Sequence, residues 1–317
     1  MDQDNNQKKQ DLSKSDKPLY IITGATGAMG KVIAKRIASQ GKPVILACRD
    51  LDKGKKLAAE LKNVTLNNDI TAMHLDLSSF ARVKAFVSEL SELGRPIAAL
   101  INNSAVLARR HKMSVDGYEY TIQVNFLSTV LLSMMVVPLF AETGGRIVIT
   151  TSLMRNFTSL PYEFPAVNNF VPLTTFAQSK LALTLFSIYM STTLRNRHVS
   201  VNCADPGIIN AGMLTLSHWL DMVRDRVGQT LIHNPEDGAI AVMRALESSD
   251  TGFIFKGLDR QIKTSSLLKN REVFIKLCND TMRIYDLPSS RRITPSLLRM
   301  MLSVLSGLNI HENLEHA

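Results

Sequence analysis

The chain has 317 residues, 45% of them hydrophobic and 21% charged, with a formal net charge of +9. That is ordinary globular composition, long enough to bury a full core without staples, and it excludes a wholly disordered or collagen-like chain. Three separated cysteines (Cys48, Cys203, Cys278) and seven histidines without HExxH or HxxxH spacing leave neither a disulfide framework nor a visible metal-ligand set.

Residues 1–17 carry four Lys and four Asp and almost nothing apolar. They predict a disordered leader rather than a secretory signal, and a cytoplasmic location. Residues 19–22 are a short apolar run ending in Thr23-Gly24, the pattern of a buried strand. Residues 29–40 place Val32, Ile33 and Ile37 on one helical face and stop at Gly41 and Pro43. The alternation continues with strands at 44–47, 72–77 and 98–102 and helices at 52–61 and 79–93. A long apolar helix is predicted over 118–142. Its uncharged part has the length of a membrane span, but Gln123, Asn125, Ser128, Thr129, Ser133 and Pro138 mark it as a buried core helix. A strand at 146–151, a helix at 174–195, a strand at 199–204, a helix at 235–247 and a strand at 252–256 complete the series.

This alternation predicts an α/β Rossmann fold, a doubly wound parallel sheet with helices on both faces, formed by one domain over residues 18–258. Residues 208–232 stand outside the minimal unit, and Met213, Leu214, Leu216, Trp219, Leu220 and Met222 there predict an apolar cover over a ligand. Residues 259–317 predict a basic, mainly helical extension, with nine Lys or Arg against three Asp or Glu between 260 and 299. Without interleaved aromatics or a recognition motif, that excess does not point to nucleic acid. Leu297, Leu298, Met301, Leu302 and Leu305 form an apolar stripe. Docking on the core or on a homodimer partner is the preferred reading, and contact with a membrane surface is the alternative.

The segment Thr23-Gly24-Ala25-Thr26-Gly27-Ala28-Met29-Gly30 lies between the first strand and the first helix. Small residues there let the backbone approach a pyrophosphate, which meets the free N–H groups and positive dipole end of the helix. The second strand ends in Ala47-Cys48-Arg49-Asp50. With no acid at position 48 to bind the adenosine ribose and Arg49 able to fork onto a 2′-phosphate, the expected cofactor is NADP(H), with NAD(H) as the weaker choice.

These residues, with several further motifs, resemble the short-chain dehydrogenase/reductase family over residues 18–256. The family's stretches match His74-Leu75-Asp76-Leu77, Asn102-Asn103-Ser104-Ala105, Val124-Asn125, Thr150-Thr151-Ser152, Ser179-Lys180-Leu181-Ala182 and Pro206-Gly207. The Ala-Cys-Arg-Asp stretch, Gln178 to Ala182 and the long spacing after Ser152 look most like the retinol dehydrogenase-like and protochlorophyllide reductase-like members. The resemblance implies cofactor contacts from Gly24, Thr26, Gly27, Met29, Gly30, Arg49, Asp76, Leu77, Asn103, Lys180, Pro206, Gly207 and Ile209. It implies catalytic roles for Ser152, Lys180 and Asn125 and for the residue at position 176.

The chain departs from the pattern where the chemistry is most demanding. Ala28 stands at the usual middle glycine, and Ser104-Ala105 replaces Ala-Gly. The family's Tyr-x-x-x-Lys reads Phe176-Ala177-Gln178-Ser179-Lys180. Hydride transfer to a carbonyl leaves an alkoxide that needs a proton, and the family tyrosine supplies it. The family lysine lowers that tyrosine's pKa and binds the nicotinamide ribose, the serine polarises the carbonyl, and the asparagine feeds protons to the lysine through water. Loss of a general acid typically costs ~10²–10⁴ in rate. Phe176 keeps the ring and donates nothing. Tyr162, after Ser152, is a candidate to bring a replacement hydroxyl. Two readings follow: an oxidoreductase acting on a small apolar carbonyl, alcohol or activated alkene, or a catalytically impaired dinucleotide-binding protein, a sensor or partner-binding module.

Overall fold

The computed structural model describes residues 17–209, 232–258 and 260–285. Five-residue runs of apolar side chains pair edge to edge: β1 (Leu19–Thr23), β2 (Val44–Cys48) and β3 (Ile70–His74). β4 (Ile97–Asn102), β5 (Gly145–Thr150), β6 (Val199–Asp205) and β9 (Phe253–Lys256) extend the sheet, and β10 (Arg260–Lys263) closes one edge antiparallel to β9. The order is β10-β9-β6-β5-β4-β1-β2-β3, with every other pairing parallel. A further two-residue pair, β7 (Ile208–Ile209) with β8 (Ile232–His233), stands apart.

A parallel sheet covered on both faces needs apolar residues at both phases of the strand. Ile22, Leu46, Ile101, Val148 and Phe255 point to one core, under α1 (Ala28–Ala38), α2 (Leu51–Thr65) and α7 (Pro235–Glu247). Their neighbours Ile21, Ile45, Leu100, Ile147 and Ile254 point to the opposite face. That face is covered by α3 (Phe80–Glu92), the helical stretch beginning at α4 (Tyr120–Ile122), and α6 (Pro172–Thr193). The order in which successive strands are added reverses between β1 and β4, and the ends of those parallel strands are tied there. Thr23 Oγ1 accepts from the backbone N–H groups of Asn103 and Ser104, both at 3.0 Å. Such a switch point is where ligands bind in doubly wound sheets.

Two elements differ from the sequence expectation in extent. β3 covers 70–74 rather than 72–77, because Val44 pairs with Ile70 and the chain leaves the sheet before Asp76. The long helix over 118–142 begins instead at α4, passes through a π-helical turn (Gln123–Leu127), and continues as α5 (Ser128–Met135). Pro138 ends it in a 3-10 turn (Val137–Leu139). The stretch Tyr120–Leu139 is long and apolar enough to cross a membrane, yet 78% of its most apolar window is buried inside the protein, as a core helix requires.

Beyond residue 258 the described chain stays against the sheet and core. β10 is part of the sheet, and α8 (Arg271–Ile284) buries Phe274, Leu277, Cys278 and Met282 in the core beneath α6. Tyr285 packs edge-on against Phe80 at 5.8 Å and donates its hydroxyl to the Leu127 carbonyl. The leader, the apolar cover around Met213 to Met222 and the stripe at 297–308 lie outside the described residues.

Candidate active site: one cleft with two unlike ends

A cleft of about 560 Å³ opens where β1, β2, β4 and β5 end. Gly24, Thr26, Gly27, Met29 and Gly30 form its floor, Arg49, Asp76 and Leu77 one end, and Ser152, Phe176, Lys180, Pro206 and Gly207 the other. Asn103 lies between them. The expected contacts thus converge, except Asn125 and Ile209. Ile209 contributes backbone to β7, and its side chain lies outside the description.

The floor is built to expose backbone N–H groups. α2, α3, α7 and α8 are capped by Asp50, Ser79, Asn234 and Asn270, whose side chains accept from the first turn. α1 starts on Gly27 with no side-chain cap, leaving its first amides for a ligand. Gly24 has φ +64°, a left-handed conformation, and a Cβ there would sit 2.9 Å from Ser104 Oγ. A Cβ on Gly30 would lie 2.2 Å from the Gly24 carbonyl oxygen, so only glycine lets the helix close on the turn. An uncapped helix start behind a glycine turn fits the pyrophosphate of a dinucleotide. At the far wall, Asp76 accepts from the Ser78 amide at 2.9 Å and hydroxyl at 2.8 Å, which fixes its carboxylate.

The reacting end is built from side chains. Ser152 follows β5 and accepts from the Met154 amide at 3.3 Å. Lys180 sits one helical turn after Phe176 on α6, 2% exposed, and donates to the Thr150 carbonyl at 2.8 Å. Burial pulls its ammonium pKa down to about 8, and the neighbouring Cys203 thiol opposes that shift. Burial likewise pushes the Cys203 thiol up to about 11. The Lys180 ammonium lies 5.9 Å from the centre of the Phe176 ring, over a surface that offers no hydroxyl.

Two of the residues singled out in the sequence do not line the cleft. Asn125 is fully buried behind the cleft wall. Its oxygen accepts from the Val106 amide at 2.8 Å, and its nitrogen donates to the Val106 carbonyl and to Ser179 Oγ. It clamps the loop after β4 to α6 and is not a lining residue. Tyr162 is 69% exposed, has Lys276 over its ring at 4.8 Å, and does not reach the cleft.

The sequence reading missed a buried ion pair beneath the reacting end. Arg155, in the 3-10 turn (Leu153–Phe157), donates to the Asp205 carboxylate and to the Ser152 carbonyl, each at 2.6 Å. Asp205 also accepts from the Gly207 amide at 3.1 Å. One guanidinium therefore joins the serine turn to the Pro206-Gly207 turn. An isolated Arg three residues after a serine carries no sequence signal of this kind.

The family described as short chain dehydrogenase matches residues 19–219, and the chain belongs to that family, whose members are NAD(P)-dependent oxidoreductases. Among its relatives, human retinol dehydrogenase 13 is 31% identical over 289 residues, 86% of each chain. Mouse polyprenol dehydrogenase is 29% identical over 234 residues, 71% of this chain and 70% of that one. The fold is shared with a short chain dehydrogenase from Burkholderia cenocepacia in complex with NADP, at TM-score 0.63 and 22% identity over 76% of this chain and 96% of that one. Salutaridine reductase from Papaver somniferum gives TM-score 0.58 at 18% identity over 75% and 99%.

Proposed function

We propose that the chain is an NADP(H)-preferring oxidoreductase that moves hydride to or from an apolar carbonyl, alcohol or activated alkene. The observation that carries the cofactor reading is the adenosine end of the cleft: Cys48 stands where an acid would bind the ribose, and Arg49 lies beside it at the rim. Relatives named for retinol and polyprenol support an apolar substrate, as do the lining residues Val106, Leu107, Met154 and Leu173.

The bound nicotinamide would supply or take the hydride. Ser152 Oγ orients and polarises the substrate oxygen, and Lys180 holds the cofactor ribose. With its pKa near 8, Lys180 is mostly charged at neutral pH and can release a proton into the reacting end that it lines. Reduction of an activated double bond asks less of a general acid than carbonyl reduction, which favours that class beside Phe176. Phe176 also supports the second reading, a dinucleotide-binding module without turnover.

The test is a titration with NADPH and NADH followed by turnover on apolar ketones, aldehydes, enones and alcohols. Tighter NADPH binding with turnover on that panel is the expected result, and tight binding with none selects the second reading. Arg49→Ala should weaken NADPH about tenfold more than NADH, the size of one lost charge-assisted contact. Equal losses for both would sink the phosphate assignment.

A further inference from the structure

Arg49 does not point freely into solvent. Its Nη1 donates to the phenolic oxygen of Tyr120 at 3.0 Å, across the mouth of the cleft that both residues line. A second cation reaches the same ring: the Lys112 ammonium lies 4.5 Å from its centre. The chain between them fixes this arrangement. Residues 112–120 form a tight hairpin in which Tyr120 N–H donates to the Lys112 carbonyl at 2.8 Å and Ser114 N–H to the Tyr118 carbonyl at 2.7 Å. Met113 bridges Glu119, and Gly117 supplies the turn at φ +81°. The positions of Lys112 and Tyr120 are thus set by backbone, and only Arg49 arrives from another element.

The charges around this phenol are unbalanced. Among the described residues neither Arg49 nor Lys112 is paired with a carboxylate. The neighbouring acids are already engaged: Asp50 caps α2 and pairs with Lys53 at 3.1 Å, Asp76 is held by Ser78, and Asp116 accepts from Phe80 and Gln123. The phenol accepts from Arg49, and its own O–H finds no acceptor among the described residues. Two cations and an unspent hydroxyl, gathered at the end of β2, are complementary to a phosphate monoester dianion.

We propose that Tyr120 and Lys112 are specificity-determining residues that complete, with Arg49, a clamp for the adenosine 2′-phosphate of NADP(H). Tyr120 holds the guanidinium at the cleft mouth before the cofactor arrives and donates its hydroxyl to a phosphate oxygen afterwards. Lys112 adds the second positive charge. Preorganisation is the advantage: a long arginine side chain loses less freedom on binding when it is already held. The inference rests on the NADP(H) reading above and adds two residues to it.

The experiment titrates full-length protein with adenosine 2′,5′-bisphosphate and with AMP, then with NADPH and NADH, by calorimetry. The variants are Tyr120→Phe, Lys112→Met, Arg49→Met and the Tyr120→Phe/Arg49→Met pair, with melting curves as a check on folding. Tyr120→Phe and Lys112→Met should each weaken the bisphosphate and NADPH by about fivefold to tenfold and leave AMP and NADH unchanged. In the Arg49→Met background the Tyr120→Phe loss should shrink, because half of the phenol's task has gone. Wild type that binds AMP as tightly as the bisphosphate would end the NADP(H) reading itself. Bisphosphate preference that falls with Arg49→Met alone, and not with the other two, would keep that reading and overturn the clamp. Equal losses for AMP and bisphosphate in Tyr120→Phe would make Tyr120 an adenine wall and overturn it as well.

Discussion

The two ends of the cleft are made of different material. The cofactor floor is mostly backbone: a left-handed Gly24, an uncapped α1 and strand ends tied by Thr23. The reacting end consists of individual side-chain atoms on a 3-10 turn and on α6. A backbone site survives any substitution that keeps the path of the chain, and Ala28 and Ser104 are tolerated there on that account. A side-chain site can be changed by one oxygen atom, and Phe176 is where the proposed reading places that change. The same sheet can therefore keep a dinucleotide cleft while its chemistry drifts.

The strongest way to break this comparison is to restore the atom. Phe176→Tyr should raise carbonyl reduction by up to ~10²–10⁴, the usual worth of a positioned general acid. The ring already lies on the cleft wall one turn before Lys180, so only a hydroxyl is added. Activity should be measured with the melting temperature on a panel of apolar ketones and aldehydes. A stable, NADPH-binding tyrosine variant without activity would show that the reacting end differs in more than one atom. A wild type faster than the variant would mean that the chemistry has adapted to phenylalanine.

Next in size is the pair beneath that end. Arg155 and Asp205 are 1% and 4% exposed, and the guanidinium Nε and Nη2 have no partner among the described residues. Removing one member of a buried pair typically costs ~3–5 kcal/mol, because the other charge is left without compensation. Arg155→Met and Asp205→Asn should each lower denaturant stability by that order. The double variant Arg155→Met/Asp205→Asn should recover much of the loss. Additive losses in the double variant would mean that the two charges act independently.

The sheet and the cofactor floor were legible in the sequence because both are periodic and local. Apolar runs of strand length alternate with helical faces, and the glycine turn occupies eight consecutive residues. What escaped was non-local. Arg155 meets Asp205 fifty residues later, and Arg49 meets Tyr120 across seventy-one. The π-helical turn also left no mark, since Gln123 to Leu127 reads as ordinary apolar helix, although Gln123 there donates to Asp116 and Ser128. Tyr162, offered as a replacement hydroxyl, lies outside the cleft, and the Asn125 side chain faces Val106 and Ser179, because the sequence names their chemistry but not the direction in which their polar atoms point.

Lys180 sits at the reacting end, and its stability and its function should pull in opposite directions. Its ammonium is buried, so its folded-state pKa of about 8 lies below the unfolded value of 10.5. Between those values the unfolded chain holds more protons than the native one, and stability contributed by this residue rises with pH through that window. Below about pH 8 the full cost of burying the charge is present, of the order of ~3 kcal/mol for a shift of this size. Lys180→Met removes that cost and keeps the aliphatic stem. The variant should melt above wild type at pH 7, less the bond to the Thr150 carbonyl, and the advantage should shrink steadily towards pH 10. It should also bind NADPH more weakly, because the ribose contact does not depend on a tyrosine at position 176. Wild-type affinity should fall as the pH rises through about 8, while that of the variant stays flat. Calorimetric titration at pH 7 and pH 9 reads both effects. A variant that is neither more stable nor weaker in binding would make Lys180 a structural prop of the Thr150 carbonyl, and would leave the reacting end with Ser152 as its only working side chain.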